Sequence, residues 1–467
     1  MRIPRIMIAA VSSGSGKTMV SCALMEALKQ KGKIVSACKC GPDYIDPMFH
    51  REVLGIDSEN LDLFFTEEKM LQKIFLQHVS ESDIAVMEGV MGYYDGMTFG
   101  SETASSYEVA KTLKTPVILV VGCRGMSLSV LAVIKGMMEF RKDSQIRGII
   151  LNRVSSMLYP RMKKMIEKGL RDMGLEAQVV GYIPEDDVFG LESRHLGLVT
   201  PDEISGLKEK MKRAGEMISQ TVELGAVMSI AENAPEMDED KEVIYTAYHP
   251  KKTIKIGVAR DEAFCFYYKE NLRLLEKMGC ELIPFSPIRD EKLPEGIRGL
   301  LLGGGYPEEY AKELAENQSM RESVKAWILE GSPCLAECGG FLYLHEQMQG
   351  SDGIRYPMAG VIAAEAVRKE RLVRFGYVQI EAEINGNYLK KGEQIRGHEF
   401  HYWDSSDNGR DCLAVKPDGT RKWNCIHMRE NLFAGYPHLY YCSNPVIAER
   451  FVDACRKKEE KSDIGYN

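Results

Sequence analysis

The chain has 467 residues, 27% of them charged, with 60 Lys and Arg against 68 Asp and Glu for a net charge of -8. That length exceeds one ordinary core and predicts at least two domains, while the acidic balance excludes the basic face of a nucleic-acid binder. No apolar stretch reaches the roughly 20 residues that span a bilayer, and the N-terminus lacks a secretion signal; a cytoplasmic protein with neither membrane nor nucleic acid as partner is expected.

The first element is the apolar run "RIMIAAV" (5–11), followed at once by "SSGSGKT" (12–18) and the amphipathic stretch "TMVSCALMEALKQKGK" (18–33). In that stretch Val20, Ala23, Leu24, Ala27 and Leu28 share one helical face before Gly32 ends it. Strand, glycine-rich turn and helix together are the setting of a phosphate-binding loop. Gly14, Ser15 and Gly16 would turn backbone N–H groups toward a phosphate, Lys17 would meet the β and γ phosphates, and Thr18 would ligate Mg²⁺. Val11 stands where the GxxxxGK[ST] pattern has its first glycine.

Five further runs, "IVSACKC", "DIAVMEG", "TPVILVVG", "RGIILNRV" and "AQVVGYIP", are short, rich in Val and Ile, and alternate with amphipathic segments. This predicts an α/β fold: a mostly parallel sheet with helices on both faces. In such a sheet the loops after the strands open on one edge. "KCGPDYIDPMFH" (39–50) would bring Asp43 and Asp46 there, and Glu88 ends the run "AVME". Thr18, Asp46 and Glu88 are the expected oxygen ligands of the metal.

Residues 224–253 hold acidic residues and prolines without sustained period, and are expected to link a first domain (1–223) to a second (254–455). Strand and helix alternation restarts there with "TIKIGVAR", "YYKENLRLLEKMG", "CELIPF", "GLLLGGG" and "SPCLAECGG". The tail 456–467 is charged and expected to fray. Twelve cysteines are scattered without a CxxC pair, which argues against a disulfide framework or structural zinc. "GHEFH" (397–401) spaces its histidines unlike the HExxH of a zinc helix, so a structural or substrate-contact role is expected there.

The segments "SSGSGKT", "KCGPDYIDPMFH", "NLDLF", "MEGVMGYYDG" and "ESRHLGLV" resemble, in order, signatures of the cobyrinic acid a,c-diamide synthase family. "RDEAFCFYYKENL", "GGGYPE", "AECGGFLYL", "GHEFHYW" and "SNP" resemble that family's glutaminase domain. The resemblance implies a dethiobiotin synthetase-like P-loop domain joined to a class I glutamine amidotransferase-like domain. It implies ATP, glutamine and a tetrapyrrole carboxylate as substrates, Mg²⁺ with the ATP, and amidation of the c and then the a acetate through an acyl phosphate. Asp43, Tyr44 and Asp46 match substrate-handling positions, and Asn152 a nucleobase contact. Many relatives carry an acidic residue where this chain has Gly122. Nickel-sirohydrochlorin a,c-diamide synthases carry much the same motifs, and a P-loop regulatory protein with an idle cysteine is a third reading. A homodimer is compatible with each.

Cys338, between "PCLA" and "GFLYLHEQM" with Gly339 and Gly340 beside it, has the setting of a nucleophile elbow. Its thiolate would attack the glutamine carboxamide to give a γ-glutamyl thioester and ammonia, with the N–H groups of Gly304 and Gly305 in "GGGYP" facing the oxyanion. His438 matches the family's catalytic base. Most class I glutaminases place a Glu two residues beyond the histidine; this chain has Tyr440, so another acceptor is expected to hold His438.

Overall fold

The computed structural model describes residues 3–190, 206–237 and 253–464. The signature "ESRHLGLV" (192–199) and residues 238–252 of the expected linker lie outside the described residues. The chain divides into two compact units, Met1–Glu242 and Val243–Asn467.

In the first unit, strands β1 (Arg5–Ala10), β2 (Val35–Cys40), β3 (Ser58–Leu61), β4 (Ile84–Glu88), β5 (Val117–Gly122), β6 (Ile146–Asn152) and β7 (Gln178–Ile183) form one parallel sheet. Their order is β3-β2-β4-β1-β5-β6-β7, which puts β1 at the centre. Successive β1 side chains serve opposite faces: Met7 and Ala9 join one apolar core, Ile6, Ile8 and Ala10 the other. Helix α1 (Lys17–Gln30) buries all five residues of its predicted apolar face in the second core. Each fully buried Val or Leu there contributes about 1.5–3 kcal/mol. The strand β3, "SENL", has no apolar run to announce it.

Residues 224–232, expected in the linker, instead form a helix, Leu224–Glu232, whose Val227, Ile230 and Ala231 are buried in the core shared by β1 and α1. Its spacing of three and four is a helical period too short to stand out beside the acidic stretch that follows. Just beyond it, the Pro235 carbonyl accepts from the guanidinium of Arg5, which is fully buried and also donates to the carbonyls of Ile3, Leu113 and Lys114.

In the second unit, β8 (Ile254–Ala259), β9 (Cys280–Phe285), β10 (Gly299–Leu302) and β11 (Cys334–Glu337) join Leu432–Gly435 in parallel, with His427–Met428 antiparallel at the edge. Two further sheets, of four and five strands, use residues 345–439. Most of their strands mix polar and apolar residues; Gln394–His401 alternates buried with less buried residues, as strands with one wetter face do. The tail also departs from expectation: helix Val446–Ile464 carries it to within three residues of the end.

Candidate functional site

The first unit gathers chemistry where β1, β2 and β4 end. Gly14 and Gly16 adopt φ of 72° and 83°, values that exclude most side chains, whereas Val11 is not among the residues with positive φ. The first position of the loop therefore makes no conformational demand for glycine. Lys17 is buried, and its ammonium donates to the Ser12 carbonyl at 3.1 Å and to the Met91 carbonyl. Burial, with the charge of Lys39 adding, pushes Lys17 down to about 8. The Thr18 hydroxyl donates to Glu88 Oε1 at 2.6 Å.

Lys39 and Glu88 are register partners on β2 and β4, and Lys39 Nζ lies 2.8 Å from Glu88 Oε1 and 2.5 Å from Asp46 Oδ2. All three are buried. Burial opposes the charge on Glu88, but the Lys39 ammonium and the His50 and Lys39 hydrogen bonds outweigh it and hold this carboxyl well below the usual range. Burial, with Asp43 and Glu88 adding, lifts Asp46 above its usual range. His50 Nε2 lies 3.4 Å from Glu88 Oε2, while its Nδ1 lies 2.9 Å from the Ser58 hydroxyl. Sequence reading missed Lys39 and His50. A lysine inside the otherwise apolar "VSACKC" was the available signal, since a buried ammonium needs carboxylates.

Asp43 and Tyr44 stand where helix α2 (Ile45–Glu52) begins. Asp43 Oδ1 accepts from the N–H groups of Ile45 and Asp46, so one of its oxygens is engaged in the turn. Asn152, at the end of β6, donates to the Ser15 carbonyl at 2.8 Å and so braces the phosphate loop from beneath. A cavity of about 970 Å³ opens beside it, lined by Gly16, Asn152, Arg153, Pro184 and Arg213 among others. The structure thus brings Lys17, Thr18, Asp46 and Glu88 into one cluster, with Asp43 at its rim and Asn152 on the opposite side of the loop.

Oxygen donors suit a hard divalent cation. Asp46 Oδ1 is buried and makes no hydrogen bond among the described residues, and Glu88 Oε2 faces His50 Nε2 at 3.4 Å, so with the Thr18 hydroxyl these oxygens fit such an ion.

The second unit holds Cys338 at the end of β11 with φ 48° and ψ -104°, a strained turn for a residue with a side chain. Its N–H donates to the Gly435 carbonyl at 2.8 Å, and its carbonyl accepts from Leu342, which starts the short helix Gly339–Tyr343. A Cβ on Gly340 would lie 2.1 Å from the Leu302 carbonyl oxygen, and one on Gly339 would lie 3.2 Å from Gly305 N. The glycines thus let the elbow sit directly on the loop 303–307. On that loop's other side, a Cβ on Gly304 would lie 2.2 Å from His438 Cε1. The Gly304 carbonyl accepts from the N–H groups of Cys265 and Phe266, which fixes the loop against residues 265–266.

Burial pushes the Cys338 thiol well up, Glu308 adding, while the Gly339 N–H acts downward. Burial holds His438 down to about 3, with His401 adding. The resting pair is a neutral thiol and a neutral imidazole. His398 pairs with His438 across antiparallel strands, and His401 stacks on Tyr436 with centroids 3.7 Å apart. The "GHEFH" histidines are therefore built into the wall of this site. Among the described residues, the group with metal-ligand spacing is Cys22, His50 and Glu88 in the first unit.

Residues 6–199 match the CobQ/CobB/MinD/ParA nucleotide binding domain, and residues 255–446 match the CobB/CobQ-like glutamine amidotransferase domain. Over 452 residues the chain is 40% identical to the cobyrinate a,c-diamide synthase of Caldanaerobacter subterraneus, covering 96% of this chain and 98% of that one. It is 36% identical to the Priestia megaterium enzyme of the same name, over 98% and 99% of the two chains. With the Thermoplasma volcanium enzyme of that name, identity is 37% over 99% and 100%.

Proposed function

Because the chain belongs to the cobyrinate a,c-diamide synthase family, we propose that it converts the a and c acetate carboxylates of cobyrinic acid to amides, using ATP and glutamine, in cobalamin biosynthesis. The observation that carries this is the presence in one chain of two sets of groups: a phosphate loop whose Thr18 donates to a buried Glu88, Lys39 and Asp46 cluster, and a cysteine elbow packed on a glycine loop that abuts His438.

In the first unit the loop amides of Gly14 to Gly16 and Lys17 bind the phosphates of ATP, which raises Lys17 back toward its ordinary range. Asp43, Tyr44 and Asp46 orient the acetate, whose carboxylate oxygen attacks the γ-phosphorus while ADP leaves. Mg²⁺, held by Thr18, Asp46 and Glu88, supplies charge neutralisation for the phosphates when bound. Asn152 keeps the loop in register with the cavity that takes the nucleoside. The acyl phosphate then loses phosphate to ammonia, and the amide forms.

In the second unit, glutamine places its carboxamide against the elbow. The thiol proton of Cys338 passes to the neutral imidazole of His438 as sulfur attacks, with the amides around Gly304 and Gly305 facing the oxyanion. His438 returns the proton to the leaving nitrogen, and water cleaves the thioester to glutamate.

The test is incubation with cobyrinic acid, ATP, Mg²⁺ and glutamine, followed by mass spectrometry. Two successive acid-to-amide conversions are expected. Turnover of nickel-sirohydrochlorin with none of cobyrinic acid overturns the substrate assignment. Cys338→Ser is expected to abolish the glutamine-dependent reaction and to keep the reaction with ammonium chloride; loss of neither overturns the thioester route.

A further inference from the structure

The residues around His438 answer what replaces the carboxylate absent at position 440. The Tyr440 ring is buried and packs edge-on against Tyr268, with centroids 5.4 Å apart. A carboxyl group that grips the segment after His438 belongs to Glu337, the residue that precedes the nucleophile. Glu337 is buried at the end of β11; its Oε1 accepts from the Tyr441 hydroxyl at 2.9 Å and its Oε2 from the Leu439 N–H at 3.3 Å. From helix Lys269–Lys277, Asn271 completes the grip: its Nδ2 donates to the Leu439 carbonyl at 2.7 Å, and its Oδ1 accepts from the Tyr441 N–H at 2.8 Å.

The Leu439 N–H belongs to the peptide that follows His438, so a fixed acceptor there sets ψ of His438 and with it the direction of the imidazole. The same carboxyl group is one peptide bond from Cys338, whose own N–H is held by the Gly435 carbonyl. Resting on the glutaminase reading above, we propose that Glu337 is a positioning residue for glutamine hydrolysis: one side chain ties the strand that carries the nucleophile to the peptide that aims the base. It takes the part that a carboxylate two residues past the histidine plays in most class I glutaminases, but acts through the backbone.

Glutamine at this position can present its oxygen to Leu439 N–H and donate its N–H to the Tyr441 hydroxyl, keeping both bonds. Alanine keeps neither. The test compares Glu337→Ala, Glu337→Gln and Tyr441→Phe in the full chain, with glutamine and with ammonium chloride as nitrogen source. Glu337→Ala is expected to lower kcat for glutamine hydrolysis about 100-fold, at a KM for glutamine changed less than about 3-fold. Glu337→Gln is expected within about 5-fold of wild type and Tyr441→Phe between the two, with ammonium-dependent amidation unchanged in all three. Should Glu337→Ala fail to fold, the split between kcat and KM in Tyr441→Phe decides.

A full kcat in Glu337→Ala, a loss in Glu337→Gln as deep as in Glu337→Ala, or a parallel fall in the ammonium reaction each overturns the positioning role. Wild-type protein that hydrolyses no glutamine overturns instead the reading on which it rests.

Discussion

Gly304 has no room for a methyl group: a Cβ there would stand 2.2 Å from the His438 ring. The ring cannot retreat easily, because His438 is buried and its strand is paired with His398. Gly304→Ala is therefore expected to displace the imidazole and reduce glutamine hydrolysis by about 100-fold, while ammonium-dependent amidation continues; steady-state kinetics with both nitrogen sources check this. A second residue reports through pH. His345 is fully buried, its Nδ1 donating to the Phe341 carbonyl at 2.9 Å and its Nε2 lying 2.7 Å from the Ser405 hydroxyl. Burial holds it down to about 4. Since the folded pKa lies below the unfolded one, the unfolded chain binds the extra proton between about pH 6.5 and 4, and stability falls as pH is lowered through that window. His345→Gln is expected to remove on the order of 3 kcal/mol of that acid loss. Denaturant melts of both proteins at pH 7 and pH 4 measure it, and an unchanged difference between the two pH values refutes neutral burial.

Among elements, the helix Leu224–Glu232 shows where sequence reading stopped. The strands of the first sheet were legible because each is a short apolar run with both faces covered; β3 and this helix were not, being four residues of mixed polarity in one case and about two and a half turns in the other. Yet the helix is integral: Ile230 reaches the bare α-carbon of Gly148 on β6, where a Cβ would meet its Cδ1 at 3.0 Å. Ile230→Ala is expected to cost about 2–4 kcal/mol in the first unit, read as a shift of the first-unit transition in denaturant. In the candidate site, sequence reading singled out the residues where motif and turn coincide, as at Lys17, Thr18, Glu88 and Cys338. Lys39, His50 and Glu337 were not singled out, because each acts on a partner that is distant in sequence: strand register sets Lys39 opposite Glu88 and Glu337 opposite Gly435, and helix α2 carries His50 to Glu88.

At the scale of the whole molecule, the two chemistries occupy separate compact units, so damage to one is expected to spare the other. Lys39→Met leaves Glu88 and Asp46 buried without their shared cation. That is expected to abolish ATP-dependent amidation with either nitrogen source and to destabilise the first unit by about 3–5 kcal/mol. Glutamine hydrolysis by the second unit is expected to survive in the same preparation, measured as glutamate release without ATP. Read beside Cys338→Ser, which has the opposite profile, this gives a two-way dissociation of activities within one polypeptide.

The loop against Gly304 also bears on how the protein meets oxidants and thiol reagents. Eleven of the twelve cysteines are buried, and Cys265 is the one with intermediate exposure. Its N–H holds the carbonyl of Gly304, on the loop that abuts His438. An alkylating probe therefore meets Cys265 before the nucleophile, and the adduct is carried by a residue whose own backbone anchors the loop of the glutaminase site. Inactivation by such a probe would report two thiols at once, and counting competent Cys338 by labelling calls for Cys265→Ser as the background.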